Sequence, residues 1–161
     1  MRLSLNDAIN AQINIELWSA YLFLSMSINS SSKGLKGIAH WFYKQHQKEL
    51  SDANKLIDYL NSINSKVYLY PIEGVPIEWD SPLEMFKHKF EHDKKISKLI
   101  YTASTLAEEE QDYVSFDFLS KFASEQLKEE SISRTMIMAF ESVKNDEFAL
   151  SLLDKELGER E

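Results

Sequence analysis

The sequence predicts an all-α protein: a four-helix bundle with one long crossover between its second and third helices, closed by a short fifth helix at the C-terminus. Three observations predict this. Helix-breaking residues are confined, with Pro71, Pro76, Pro82 and Gly74 all falling between residues 71 and 82. On both sides of that stretch apolar residues recur at spacings of three and four, the period of an amphipathic helix. The connections then set the topology: short turns join helices one to two and three to four, while about twenty residues without helical period separate two from three, enough extended chain to run back along a helix. A bundle with one such crossover is a known architecture.

Each element has its own signal. Ser4 to Asp7 reads as a helix start, and an amphipathic stretch runs from about residue 4 to 29. SSSKGLKG, residues 30–37, reads as a turn, and the second helix covers about 35–61. VYLYPIEGVPIEWD, residues 67–80, is β-branched, aromatic and broken by proline, hence an extended connection. Ser81-Pro82-Leu83-Glu84 combines a capping box with proline at the first helical position, so a third helix runs over about 82–110. A fourth covers about 111–144 and a fifth about 146–157, ending at Gly158. The whole of 1–161 is expected to form one domain.

Bulk properties narrow the function. The formal net charge of −8 argues against a nucleic-acid partner, because phosphate binding needs a clustered basic surface. The absence of cysteine excludes disulfides, zinc thiolates and iron–sulfur clusters. No apolar run reaches membrane-spanning length, and the N-terminus lacks the apolar core of a signal peptide. A cytoplasmic protein is expected.

The stripes carry the chemistry. Ile9, Ile13, Ala20 and Phe23 are interrupted by Glu16; Phe42, Leu56 and Tyr59 by Gln45, Glu49 and Asp52; Phe86, Phe90 and Ile96 by Asp93; Phe118, Phe122, Met136 and Phe140 by Gln126 and Glu129. Each interruption lies near its helix midpoint, so Glu16, Glu49, Asp52, Asp93, Gln126 and Glu129 are expected to converge. No lysine or arginine is read on these stripes. Five buried carboxylates without counter-charge demand shared protons or bound cations. Two divalent ions nearly balance the charge, and an all-oxygen ligand set suits hard cations.

Several motifs together resemble the bacterial non-haem ferritins along the whole chain: Asn14-Ile15-Glu16-Leu17 with Ser19-Ala20-Tyr21, Lys48-Glu49-Leu50 running into Lys55-Leu56-Ile57-Asp58-Tyr59-Leu60, Glu91-His92-Asp93, Gln111-Asp112-Tyr113, Phe118-Leu119, Ser124-Glu125-Gln126, and Leu153-Asp154-Lys155-Glu156-Leu157-Gly158. The resemblance implies a hollow cage of 24 subunits, with two irons per subunit at a centre that oxidises Fe(II) with O2 or peroxide, and ferric mineral stored inside. It implies Glu16 as first-helix ligand, Glu49 as bridge, Glu129 as a ligand of the second iron and Gln126 as the nearby amide. Glu16, Glu49 and Gln126 would form the catalytic set, and the six midpoint residues the metal set.

The chain departs from that pattern. Asp52 stands where the family has histidine, Asp93 where it has glutamate, and Phe23 where it usually has tyrosine. Lys48 and Lys128 replace carboxylates of the third iron site seen in some members. A ferroxidase impaired by these changes is expected. The alternative is a cage with weak or no ferroxidase activity that stores metal by nucleation on acidic surfaces. A rubrerythrin-like peroxide reductase is remote, since its Glu-x-x-His motifs on two helices and its cysteine-bound iron are missing. Haem is not expected, because residues 35–61 contain no methionine. His46 reads as a surface or interface residue, His88 and His92 as an exposed pair, Trp18 and Trp41 as buried at helix contacts, and Glu108-Glu109-Glu110 as a solvated helix end.

Overall fold

Among the described residues five helices form: α1 (Leu5–Ser32), α2 (Lys36–Ser62), α3 (Pro82–Glu109), α4 (Tyr113–Val143) and α5 (Glu147–Leu157). The structure, a computed structural model, describes residues 3–161. Among the described residues there is no strand, and the all-α bundle with its crossover is as the sequence predicts. α1 packs along α2 and α3, α3 along α4, and α5 against α2 and α4.

The caps act as anticipated, with two boundary shifts. Ser4 accepts the Asp7 amide at 3.0 Å and Ser81 accepts that of Glu84 at 3.2 Å. α1 runs three residues beyond the expected end. Ser30 and Ser32 return their hydroxyls to the main-chain oxygens of Met26 and Asn29, so serines that read as turn formers stay helical. The break comes at Gly34, whose φ of +76° suits glycine. α4 starts at Tyr113 because Gln111 takes φ +58° and Asp112 caps the Ser115 amide at 3.0 Å.

The crossover is held by asparagines that the helical period does not single out. Asn10 Nδ2 donates to the Lys66 carbonyl and Asn10 Oδ1 accepts from the Tyr68 amide, at 2.9 and 2.7 Å. One turn on, Asn14 repeats the pattern with the Tyr68 carbonyl and the Tyr70 amide, both at 2.9 Å. Two side-chain amides thus do for an extended segment what a neighbouring strand does in a sheet.

α5 docks by close backbone approach. A Cβ on Gly37 would lie 1.6 Å from the main-chain oxygen of Asp154. Leu35, at the N-cap of α2, offers no side-chain cap, and Asp154 Oδ1 accepts the Ile38 amide at 2.8 Å instead. Gly37→Ala is therefore expected to cost about 1–3 kcal/mol through overpacking at this contact. A urea midpoint unchanged from wild type would show that α5 docks elsewhere.

Two apolar cores result. One gathers Phe23, Phe42, Trp41, Phe86, Phe140 and Leu157; the other gathers Ile9, Ile13, Leu56, Leu60, Ala103 and Leu119. Between them, at mid-bundle, lies a polar layer.

Candidate metal centre

All four long helices contribute to that layer. Glu16, Gln45, Glu49, Asp93, Gln126, Glu129 and Ser133 are buried, and Asp52 is half-buried. Glu16, Glu49 and Asp52 each place one carboxylate oxygen within 4.8 Å of the others. Gln12 Nε2 donates to Glu16 Oε1 at 2.7 Å, and Gln45 Nε2 to Glu49 Oε1 at 3.0 Å. Glu16 Oε2 is buried, and no amide, hydroxyl or ammonium reaches it. A buried carboxylate oxygen that receives no protein donor and faces two more acids is a ligand set that suits a cation.

Asp93, Gln126 and Glu129 occupy the other half of the layer in a different way. The expectation that no lysine stands among the stripes is overturned: Lys89, four residues before Asp93, is 0% exposed. Its Nζ donates to Asp93 Oδ2 at 3.0 Å, Glu129 Oε2 at 3.1 Å and Ser133 Oγ at 2.9 Å. Lys48 Nζ lies 3.1 Å from Glu129 Oε1 and 3.4 Å from Asp52 Oδ2. Ser133 Oγ donates to Asp93 Oδ2 at 2.5 Å, and Gln126 Nε2 holds the Asp93 carbonyl at 3.0 Å. Lys89 shares the face of Asp93 at i, i+4, which places its ammonium beside the buried acids that repay its desolvation.

The electrostatics follow this division. Burial, then the charge of Glu49, a hydrogen bond shared with the Glu49 carboxyl and the charge of Asp52 push the Glu16 carboxyl well above its ordinary range. Burial also raises Glu49 and Asp52. Burial acts on Glu129 in the same sense, but Lys89 and Lys48 overcome it and hold Glu129 down at about 2. Burial alone would lower Lys89, and the negative charges of Asp93 and Glu129 instead raise it, keeping it an ammonium. Burial lifts Asp93, opposed by Lys89 and Ser133.

Linkage gives a test of this arrangement. A carboxyl raised above its unfolded value of 4.5 stabilises the native chain fully below that pH, and the contribution is lost as pH rises through the folded value. In the metal-free protein, Glu16→Gln should therefore gain stability relative to wild type as pH goes from 5 to 8. Urea midpoints of both proteins at the two pH values check this, and a gap that stays constant contradicts it.

Other expectations change as well. His92 is buried, not an exposed partner of His88. Its Nε2 lies 2.6 Å from Ser19 Oγ, its ring packs 5.1 Å from Trp18, and burial drops it to about 3. His88 pairs with the Trp79 indole at 2.9 Å. His46 Nδ1 is 2.7 Å from the Ala20 carbonyl. Phe23 is fully buried against Phe42. At the positions of the family's third site, Lys128 pairs with Glu125 at 3.0 Å on the surface. From the C-terminus Arg160 reaches the layer, donating to Gln45 Oε1 at 3.0 Å, a contact without any sequence signal.

Comparison with known proteins agrees with the architecture. The model of the Ferritin-like domain family matches residues 6–143. A bacterial non-heme ferritin of Bacteroides fragilis is 36% identical over 156 residues, 97% of each chain. One from Staphylococcus aureus is 29% identical over 157 residues, covering 98% of this chain and 95% of its own. Among solved structures, an open-pore ferritin from the archaeon Archaeoglobus fulgidus superposes with a TM-score of 0.96 at 39% identity, over 98% of this chain and 96% of that one. On fold, length and sequence alike, the chain belongs to the ferritin family.

Proposed function

We propose that this iron-storage ferritin subunit binds Fe(II) at Glu16, Glu49 and Asp52, oxidises it with O2 or peroxide, and passes Fe(III) to the interior of a cage of 24 copies in the cytoplasm. The observation that carries the reading is the convergence of three carboxylates within 4.8 Å, one of them with a buried oxygen that no amide, hydroxyl or ammonium reaches. Iron here is the substrate. Oxygen ligands favour the harder ferric state, so the site promotes loss of an electron from bound Fe(II) but also retains the product. Gln12 and Gln45 orient Glu16 and Glu49 through one oxygen each, leaving the remaining oxygens for iron. No described helix is long and apolar enough to cross a membrane.

A second reading is favoured by Lys89 and Lys48: a cage whose centre is silent, with mineral forming by nucleation on acidic inner surfaces. Initial rates of aerobic Fe(II) oxidation separate the two. Under the first reading wild type shows a saturable phase that Glu16→Ala removes; equal rates for both proteins favour the second. Asp52→His supplies the nitrogen ligand that suits Fe(II) and breaks the Asp52 contact with Lys48. We expect it to oxidise Fe(II) several-fold faster than wild type. A variant no faster than a wild type that already turns over at the family's usual rate contradicts the impairment.

A further inference from the structure

Lys89 has spent its whole hydrogen-bonding capacity. An ammonium has three donors, and Asp93, Glu129 and Ser133 accept all three between 2.9 and 3.1 Å. The rings of Phe23 and Trp41 lie 5.7 and 5.8 Å from its Nζ, so its charge is enclosed by aromatic faces as well as by acids.

The acids it touches are engaged as well, Glu129 through both oxygens and Asp93 through Oδ2. Glu129 Oε2 receives Lys89 and Gln45 (the latter at 3.2 Å), while Glu129 Oε1 faces Lys48. Asp93 Oδ2 receives Lys89 and Ser133. On the Glu16 side no amide, hydroxyl or ammonium reaches the buried Glu16 Oε2.

Charge gives the same division. Fully ionised, Glu16, Glu49, Asp52, Asp93 and Glu129 carry five negative charges, against three positive charges that the structure places on them: Lys48, Lys89 and, 4.0 Å from Asp52 Oδ1, Lys55. Two negative charges remain. One divalent ion balances them, whereas two divalent ions overshoot by two positive charges. Distance also matters: the acceptors around Lys89 sit about 3 Å from its nitrogen, against roughly 2.0–2.2 Å for a small divalent ion bound to oxygen.

We propose that the bundle centre takes one metal ion, at Glu16, Glu49 and Asp52, and that the Lys89 ammonium stands permanently in place of a second ion between Asp93 and Glu129. This rests on the reading of Glu16, Glu49 and Asp52 as the iron-binding set. It makes the centre of this ferritin a mixed site, one metal beside one built-in cation, joined by the Gln45 amide that donates to both Glu49 and Glu129.

Anomalous diffraction from crystals of the assembled protein soaked in Mn(II), which stands in for Fe(II) without being oxidised in the soak, tests it. Wild type should show one peak per bundle, at Glu16, Glu49 and Asp52, with Lys89 unmoved. Lys89→Ala should show a second peak beside Asp93 and Glu129. Two peaks in wild type, with Lys89 displaced, overturn the inference and leave the proposed function standing. No peak at Glu16, Glu49 and Asp52 in wild type overturns both. Because wild type alone distinguishes one ion from two, a Lys89→Ala protein that fails to fold does not weaken the test; a Lys89→Ala protein that folds and gains no second peak overturns the claim that Lys89 is what excludes it.

Discussion

Lys89→Met should be the most destabilising single change in the bundle. Methionine keeps most of the stem and volume and removes the ammonium. Asp93 and Glu129 are then left buried with their shared cation gone: Asp93 retains the Ser133 hydroxyl, and Glu129 retains Lys48 and Gln45. Removing one member of a buried ion pair typically costs about 3–5 kcal/mol, because the remaining charge stays desolvated. Lys48 does not compensate fully, since it is about a third exposed and reaches only the far oxygen of Glu129. Urea unfolding of the metal-free protein measures the effect. Adding Asp93→Asn to Lys89→Met should recover part of the loss, as the two residues act as a unit. A loss for Lys89→Met below 1 kcal/mol would mean that Lys89 is not the counter-charge of this layer.

Glu49→Ala should have the largest effect on iron chemistry. Glu49 is the acid of the triad nearest in its interactions to both halves of the layer: it sits with Glu16 and Asp52, and shares the Gln45 amide with Glu129. Loss of a group that merely orients a metal ligand costs roughly 10–100-fold in affinity or activity, and loss of a ligand should cost at least as much. The saturable phase of Fe(II) oxidation is therefore expected to fall by at least ~10-fold, with unfolding little affected or improved, because burial raises the Glu49 carboxyl in the native state. Unchanged kinetics would move the oxidation away from this centre.

The fold was legible because its signals are local and repeated. Caps at Ser4 and Ser81, proline crowded into one connection, and stripes at helical spacing each depend on near neighbours in sequence. The level at which Glu16, Glu49, Asp93 and Glu129 meet followed from helix midpoints alone. What the stripes could not give was charge compensation. Lys89 obeys the same periodicity as Asp93, yet a lysine is ordinarily assigned to solvent, and Phe90, which is only half-buried, drew the phase of α3 one residue away from it. His92 was misplaced for the same reason. The i, i+4 pairing of Lys89 with Asp93 was the available signal, and the need of five buried acids for counter-charge was the reason to look for it. Arg160, Asn10 and Asn14 make contacts more than fifty residues away in sequence, and no local pattern encodes these.

Iron itself gives the most direct test of the central claim, that substrate enters this bundle on the Glu16 side. Crystals of the assembled protein soaked anaerobically in Fe(II), measured at the iron absorption edge, should show anomalous density among Glu16, Glu49 and Asp52. Iron found solely on inner surface acids, or solely between Asp93 and Glu129, would contradict it.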